Sequence, residues 1–115
     1  ADPRPKILVT AHLGAWDLAI LWATRVEGRR GAVVQRRFDN RLLQQLVERA
    51  RDRLGDTIDK AGAATEALAR LRAGQSVAMI VDESAGPRGG WVEWFGRPAS
   101  THRLPAALAL ATGCP

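Results

Sequence analysis

The chain has 115 residues, a length that suits one domain or part of one. Its composition, 46% hydrophobic and 25% charged residues, is that of a globular protein and excludes a disordered chain. The formal net charge of +5 favours anionic partners such as phosphates, acidic proteins, nucleic acid or lipid headgroups, without choosing among them. The single cysteine, Cys114, excludes an internal disulfide. No apolar run approaches the roughly 20 residues that span a bilayer.

Hydrophobic periodicity and helix-capping residues divide the chain into alternating strands and helices. In chain order, we predict a strand over 6–11, a helix over 15–28, a strand over 31–36, a helix over 39–55, a strand over 56–59, a helix over 62–74, a strand over 75–84, a turn over 86–90, a strand over 91–96 and a helix over 101–113. Asp39 or Asn40 can cap the second helix, and Thr101 the last one. This alternation predicts an α/β fold with a mostly parallel sheet covered by helices on both faces.

Two chemically versatile side chains follow strands of this predicted sheet. Ligands of parallel α/β sheets bind beyond the carboxyl ends of the strands, and His12 and Asp82 both stand at such ends. Asp17 follows His12 by five residues, about 140° around a helix, so the two meet only if His12 precedes the helix. The carboxylate could then hold one imidazole nitrogen and leave the other as a base. The spacing alone has a simpler explanation: His12 ends a strand, and the charge of Asp17 interacts favourably with the dipole of the following helix.

Four blocks of sequence, taken in order, resemble a known protein family. The spacing of His12 and Asp17 alone does not establish such a resemblance. They are HLGAWD (12–17), VVQRRFDNRLL (33–43), VDESAGPRGGWVEWFGRPAST (81–101) and LPAALALATGCP (104–115). The first resembles the His-x4-Asp/Glu motif of the glycerolipid acyltransferase superfamily. Together they resemble the lipid A biosynthesis acyltransferases, the late lauroyl and myristoyl transferases of lipopolysaccharide assembly. The resemblance covers nearly the whole chain from Lys6 onward.

The resemblance implies a glycerol-3-phosphate acyltransferase-like fold, with residues 1–115 forming a single, partial catalytic domain. Members of the family run beyond both ends of this chain, so we expect a fragment that is incomplete at both ends and lacks a membrane anchor. The implied reaction moves a fatty acyl chain from an acyl thioester to a hydroxyl of a membrane glycolipid, first of all a lipid A precursor. The expected donor is acyl carrier protein, with acyl-CoA as the alternative, and no cofactor or metal is needed. The expected location is the cytoplasmic face of the inner membrane.

The resemblance also implies roles for individual residues. His12 is the expected general base and Asp17 the acid that orients it. Expected substrate-binding residues, matched by position to the family's motifs or to the turn and strand that follow them, are Arg36, Asn40, Asp82, Arg88 and Thr101. Arg36 can also meet a phosphate or, with backbone N–H groups, the oxyanion of the tetrahedral intermediate.

The chain departs from the family pattern at several positions, and these departures leave the acceptor open. The acid of the first motif is Asp17, whereas lipid A enzymes more often carry Glu there and the mycobacterial-type acyltransferases of phosphatidylinositol mannosides carry Asp. Gln35-Arg36-Arg37 replaces Tyr-Arg-Pro, and Glu83 follows Asp82 where Gln or His is more usual. A phosphatidylinositol mannoside or lysophospholipid acceptor therefore stays an alternative to a lipid A precursor.

Other residues admit a functional and a simpler interpretation. Trp91, Trp94 and Phe95 could line an acyl groove or meet the membrane interface, although packing in the core is the more common fate of such residues. The basic helix over 41–53 is more simply a solvated face than a membrane-binding one. We expect His102 to lie at the surface of the last helix.

Two further classes of protein fit the sequence less well. A nucleic-acid-binding module would explain the positive charge, but the chain shows no helix-turn-helix pattern, zinc spacing or aromatic RNA-binding motif. A nucleotide-binding α/β domain would explain the sheet, but the stretch TAHLGAWD holds neither of the common glycine-rich phosphate motifs. We therefore expect no nucleic-acid partner.

Overall fold

In the computed structural model of this chain, residues 3–16, 18–19, 31–51 and 55–115 are described. Four strands form a parallel sheet in the order β1-β4-β2-β3. These strands are β1 (Ile7–Thr10), β2 (Gly31–Gln35), β3 (Asp56–Asp59) and β4 (Ser76–Ile80). The helices are α1 (Arg41–Arg51), α2 (Ala63–Arg72) and α3 (Leu104–Thr112), and a 3₁₀ turn spans Gly86–Arg88. A separate antiparallel hairpin joins β5 (Gly90–Trp94) to β6 (Arg97–Thr101). The predicted α/β class with a mostly parallel sheet is confirmed.

The parallel sheet forms where the sequence is continuously apolar. β4 lies between β1 and β2, and its residues 76–79 are all buried, as expected for a strand that is covered on both faces. Val77 pairs with Ile7 on one side and with Ala32 on the other. The register therefore brings the carboxyl ends of β1, β2 and β4 to one edge of the sheet.

The main core lies on the face of the sheet that α2 and α3 cover. Residues Ala63, Ala67 and Leu71 recur at helical spacing along α2 and are buried against Ile58 and Val77, which are fully buried. Complete burial of an Ile or Val side chain contributes about 1.5–3 kcal/mol to the free energy of folding. On the other face, Val33 and Ala78 are buried with Trp16 packed against them.

Helix α3 runs back along the sheet, and this direction brings its first residues to the site. The Ile7 N–H donates to the Pro115 carbonyl oxygen at 2.8 Å, so the end of α3 lies beside the start of β1. Leu104, at the other end of α3, consequently lies at the carboxyl edge of the sheet. A helix that is antiparallel to its strand is the usual covering element of such a sheet.

The segment that follows β4 differs from the prediction. A strand over 91–96 and a helix over 101–113 were expected, but the chain turns at Phe95 and Gly96 and returns as β6. Both turn residues have positive φ, 50° and 73°, as the two central residues of a tight hairpin turn require. Pro98 is compatible with β6 because each strand of a two-stranded hairpin is an edge strand.

Thr101 does not cap the last helix, contrary to the prediction. It is the final residue of β6, and its Oγ1 donates to the Gly90 carbonyl oxygen at 3.0 Å. Arg103 is the residue that precedes α3, and it makes no side-chain capping hydrogen bond. The prediction of core packing for the hairpin aromatics is also wrong, because all residues from 91 to 98 are exposed.

Two other predictions have different outcomes. Asn40 caps α1, since its Oδ1 accepts hydrogen bonds from the N–H groups of Leu42 and Leu43 at 2.9 and 3.1 Å. The helix predicted over 15–28 falls mostly outside the described residues, although Trp16, Leu18 and Ala19 are helical. Asp17 lies outside the described residues.

Candidate functional site

A cleft of about 640 Å³ opens at the carboxyl edge of the parallel sheet. Its floor includes the last residues of β2 and β4, among them Gln35 and Ile80. Trp16, Phe38 and Leu104 contribute apolar walls. This is the edge at which parallel α/β sheets bind their ligands, and it is where the sequence places the candidate residues.

His12 lies at this edge and is held by Asp82 through two hydrogen bonds. The His12 backbone N–H donates to Asp82 Oδ2 at 2.9 Å, and the imidazole Nδ1 lies 2.8 Å from Asp82 Oδ1. The pairing follows from the register of β1 and β4. Because Thr10 pairs with Ile80, the residues two positions further along each strand are neighbours.

The contact favours the ionised form of Asp82 and selects the tautomer of a neutral His12 ring. The His12 backbone N–H, in first place, and the imidazole hydrogen bond hold the pKa of Asp82 below its usual value, and burial opposes them. An ionised carboxylate can only accept, so Nδ1 carries the proton in this contact. Nε2 of the neutral ring is then unprotonated, which is the state a general base requires. The ring of Trp16 meets the imidazole edge-on, with centroids 6.1 Å apart.

Sequence reasoning assigned the acid partner of His12 to Asp17 and placed Asp82 among the substrate-binding residues. The His12–Asp17 prediction lies outside the described residues. Within them, the carboxylate that contacts His12 is that of Asp82. The signal in the sequence was the strand-end position of Asp82, but its partner depends on which strands are neighbours.

Three cationic side chains line the cleft. Arg36 is 80% exposed and its Nη2 lies 3.9 Å from Asp39 Oδ2. Arg37 lies within 4 Å of two carboxylates, with Nε 3.8 Å from Asp59 and Nη2 3.9 Å from Glu48. Lys60, which sequence reasoning missed, also lines the cleft. It belongs to this edge because it follows β3, and its backbone N–H donates to the Gln35 carbonyl oxygen at 2.8 Å.

Gln35 carries a buried acceptor without a partner. Of the buried side-chain oxygen and nitrogen atoms in the described residues, its Oε1 alone makes no hydrogen bond. Leaving such an atom unpaired costs about 1–3 kcal/mol. Gln35 is also among the residues that line the cleft.

The remaining predicted substrate-binding residues are not among those that line the cleft. The amide oxygen of Asn40 caps α1, and Thr101 Oγ1 donates to the Gly90 carbonyl oxygen. Arg88 is exposed in the 3₁₀ turn. The structure thus brings His12, Asp82 and Arg36 to one edge and leaves the other three outside the cleft.

His102 was expected at the surface, but it is half-buried and lines the cleft. The residues on either side of it are anchored: Thr101 to the Gly90 carbonyl oxygen, and Arg103 Nη2 to that of Gly89 at 2.8 Å. Gly89 is itself buried, and a Cβ there would overlap Ser100 Oγ and lie 2.8 Å from Ala85 Cβ. The turn and β6 therefore fit closely and fix the backbone that presents His102.

In the described part of the chain, no group of three or more His, Cys, Asp or Glu side chains could hold a metal ion. None of the described helices has the length and apolarity to cross a membrane.

Comparison with known proteins agrees with the resemblance of the motifs. Over residues 1–115, the chain matches the model of the bacterial lipid A biosynthesis acyltransferases. It is also similar to a phosphatidylinositol mannoside acyltransferase of Mycobacterium tuberculosis, with 30% identity over 112 residues. That alignment covers 93% of this chain and 35% of the relative, so the chain spans about a third of the relative's length. The chain belongs to the bacterial lipid A biosynthesis acyltransferase family.

Proposed function

We propose that this chain carries the acyl-transfer site of an enzyme that moves a fatty acyl chain from a thioester to a hydroxyl of a membrane glycolipid. The observation that carries the proposal is the double hydrogen bond between His12 and Asp82 at the mouth of a cleft. The family supports acyl transfer.

The reaction uses His12 as the general base. Nε2 takes the proton of the acceptor hydroxyl as its oxygen attacks the thioester carbonyl, and Asp82 stabilises the imidazolium that forms. The tetrahedral oxyanion is stabilised by backbone N–H groups or Arg36. Its collapse breaks the C–S bond, and the imidazolium returns the proton to the leaving thiolate. A positioned base supplies about 10²–10⁴-fold of the acceleration.

Asp17 remains a proposed second carboxylate for this histidine. In that arrangement Asp82 holds Nδ1 and the peptide N–H of His12, while Asp17 contributes negative charge from the first turns of the following helix. Substitution of each acid separately distinguishes the two roles.

The acceptor has two leading candidates. The family name favours a lipid A precursor, and the similarity to the mycobacterial protein favours a phosphatidylinositol mannoside. Either acceptor carries phosphate, for which Arg36, Arg37 and Lys60 supply positive charge. We further propose that the donor is acyl carrier protein or acyl-CoA and that the site faces the cytoplasm at the inner membrane.

The test is acyl transfer by the full-length protein. Radiolabelled acyl groups on acyl carrier protein or CoA are offered with a lipid A precursor, a phosphatidylinositol mannoside or a lysophospholipid. Transfer to one of the three, lost in His12→Ala with the fold intact, is the expected result. Retention of more than about a tenth of the activity by His12→Ala would contradict the general-base role.

A further inference from the structure

Helix α1 turns polar residues toward the protein and leucines away from it. Gln44 is buried: its Oε1 accepts from the Phe38 N–H at 2.8 Å, and its Nε2 donates to Glu48 at 2.7 Å. Leu42 and Leu46 are 77% and 67% exposed. Two residues along a helix correspond to about 200° around its axis, so these leucines lie opposite Gln44 and Glu48.

This orientation reverses the order found in most surface helices, whose apolar stripe faces the core. We call the exposed set Leu42, Leu43 and Leu46 the leucine face. None of its members belongs to the clusters of buried apolar residues around the sheet. Phe38, which directly precedes α1, is also about half-exposed. Contiguous exposed apolar side chains of this kind mark an interaction surface.

Positive charge borders the leucine face. Arg49 of α1 is exposed, and it lies next to Leu46 on the helix surface because three residues separate them. The stretch from 36 to 51 contains five arginines and two acidic residues, a net charge of +3. The charge around the apolar residues is therefore complementary to an anionic surface.

We propose that α1 lies flat in the interface of an anionic lipid bilayer, with the leucine face among the outer acyl-chain segments. Arg49 reaches lipid phosphates from the edge of the leucine face, as in other interfacial basic helices. An acidic protein would satisfy the arginines equally. However, Leu42 and Leu46 form an aliphatic ridge without the Trp and Tyr side chains that commonly anchor protein interfaces.

The position of α1 connects the leucine face to the cleft. Arg36, Arg37 and Phe38 line the cleft and lead directly into α1. Seating α1 on the bilayer therefore brings the mouth of the cleft to the surface in which a lipid acceptor resides. This last step rests on the function proposed above, whereas the contact of α1 with lipid does not.

The experiment places an environment-sensitive fluorophore on a cysteine at the leucine face of the full-length protein. The labelled variant is Leu46→Cys in a background in which Cys114 and every other cysteine of the full-length protein are replaced by serine, and the matched control is Leu110→Cys, since Leu110 of α3 is 90% exposed. Vesicles contain phosphatidylcholine with or without phosphatidylglycerol and a spin-labelled lipid that quenches inserted fluorophores. This local readout does not depend on what else holds the protein to the membrane.

We expect a blue shift and quenching at position 46, and neither at position 110, when phosphatidylglycerol is present. Arg49→Gln should weaken the response by roughly fivefold, and Arg72→Gln on α2 should not. Unchanged fluorescence of the probe at position 46 on addition of vesicles overturns the proposal. So does a probe that responds instead to acyl carrier protein or to increasing protein concentration, because the surface then serves an acidic partner or a second copy.

A second measurement separates this surface from the catalytic proposal. Leu42→Ser with Leu46→Ser should lower transfer to a vesicle-embedded acceptor by about tenfold or more, yet leave transfer to a detergent-dispersed acceptor unchanged. If the double variant were as active as the wild type on both the vesicle-embedded and the detergent-dispersed acceptor, the proposed lipid contact would be contradicted. Absence of transfer in every presentation, with a normal probe response, would contradict the proposed reaction and leave the lipid contact standing.

Discussion

His12 and Asp82 are 70 residues apart in the chain and share two hydrogen bonds, one through the backbone and one through the imidazole. The backbone bond fixes the position of the loop, and the side-chain bond fixes the ring. Together they define which imidazole nitrogen is free for chemistry. The geometry of the described residues therefore gives the site a carboxylate–histidine pair formed by Asp82 and His12.

The first prediction concerns this pair. Asp82→Asn keeps the shape but removes the charge that stabilises the imidazolium during transfer. The imidazolium then loses its charged hydrogen-bond partner, so we expect kcat to fall roughly ten- to a hundredfold with little change in KM. Steady-state kinetics of Asp82→Asn and Asp17→Asn provide the comparison. If Asp82→Asn kept full activity and Asp17→Asn lost it, the orienting role would belong to Asp17.

The second prediction concerns acid stability. The pKa of Asp82 is lowered in the fold, chiefly by the His12 backbone N–H, so the unfolded chain takes up a proton here more readily than the folded one. The stabilisation is complete above the ordinary Asp pKa of about 3.9 and is lost as the pH falls through the lowered value. The Tm difference between wild type and Asp82→Asn should thus be constant near neutrality and shrink below about pH 4. Thermal melts followed by circular dichroism measure it; an undiminished difference in acid would refute the linkage.

The sheet could be predicted from the sequence because its signals are local. The continuous apolar run of β4 and the alternation of strands with helices require only neighbouring residues. The hairpin could not be recognised as easily, since Phe95 is an unusual residue for a turn that needs positive φ. The sequence prediction consequently contains no strand over residues 97–100 and places Thr101 in the last helix.

The site could be predicted only as far as the ends of strands. His12, Asp82 and Arg36 follow strands, and the parallel fold places all such ends at one edge. The identity of the partner of His12 depends on β1 and β4 being neighbours, which no local pattern contains. His102 and Lys60 were missed for the same reason, because their place in the cleft depends on how β6, α3 and β3 pack.

The third prediction concerns the fit of the turn against β6. Gly89→Ala introduces a Cβ that overlaps Ser100 Oγ, which itself donates to the Gly86 carbonyl oxygen at 2.6 Å. Overpacking of this kind costs about 1–3 kcal/mol. We expect a lower Tm for Gly89→Ala, with part of the loss recovered when Ser100→Gly removes the overlapping hydroxyl. A double variant no more stable than Gly89→Ala would show that the strain lies elsewhere, for example against Ala85.

The fourth prediction concerns the cations of the cleft. Arg36 is the more exposed of the two arginines, whereas Arg37 lies between Glu48 and Asp59. Arg36→Ala should lower kcat/KM roughly ten- to a hundredfold, and Arg36→Lys should recover only part of it, because an ammonium cannot make paired hydrogen bonds to phosphate. Arg72→Ala, on an exposed part of α2, is the matched control. Similar losses in Arg36→Ala and Arg72→Ala, both relieved by salt, would mean that the positive charge acts as a diffuse field.

The last prediction concerns His102, whose backbone is anchored on both sides and whose side chain lines the same cleft as His12. Because the backbone that carries this imidazole is fixed, only the side chain is ordered when it bonds to a substrate, so we expect it to contribute to substrate binding. His102→Ala should raise KM about fivefold to tenfold, the value of one ordinary hydrogen bond, with kcat changed less. His102→Gln, which keeps a donor, should restore part of the affinity. Thermal melts of both variants provide the control: a KM effect accompanied by a large fall in Tm, and no rescue by glutamine, would make His102 a packing residue of the loop between β6 and α3.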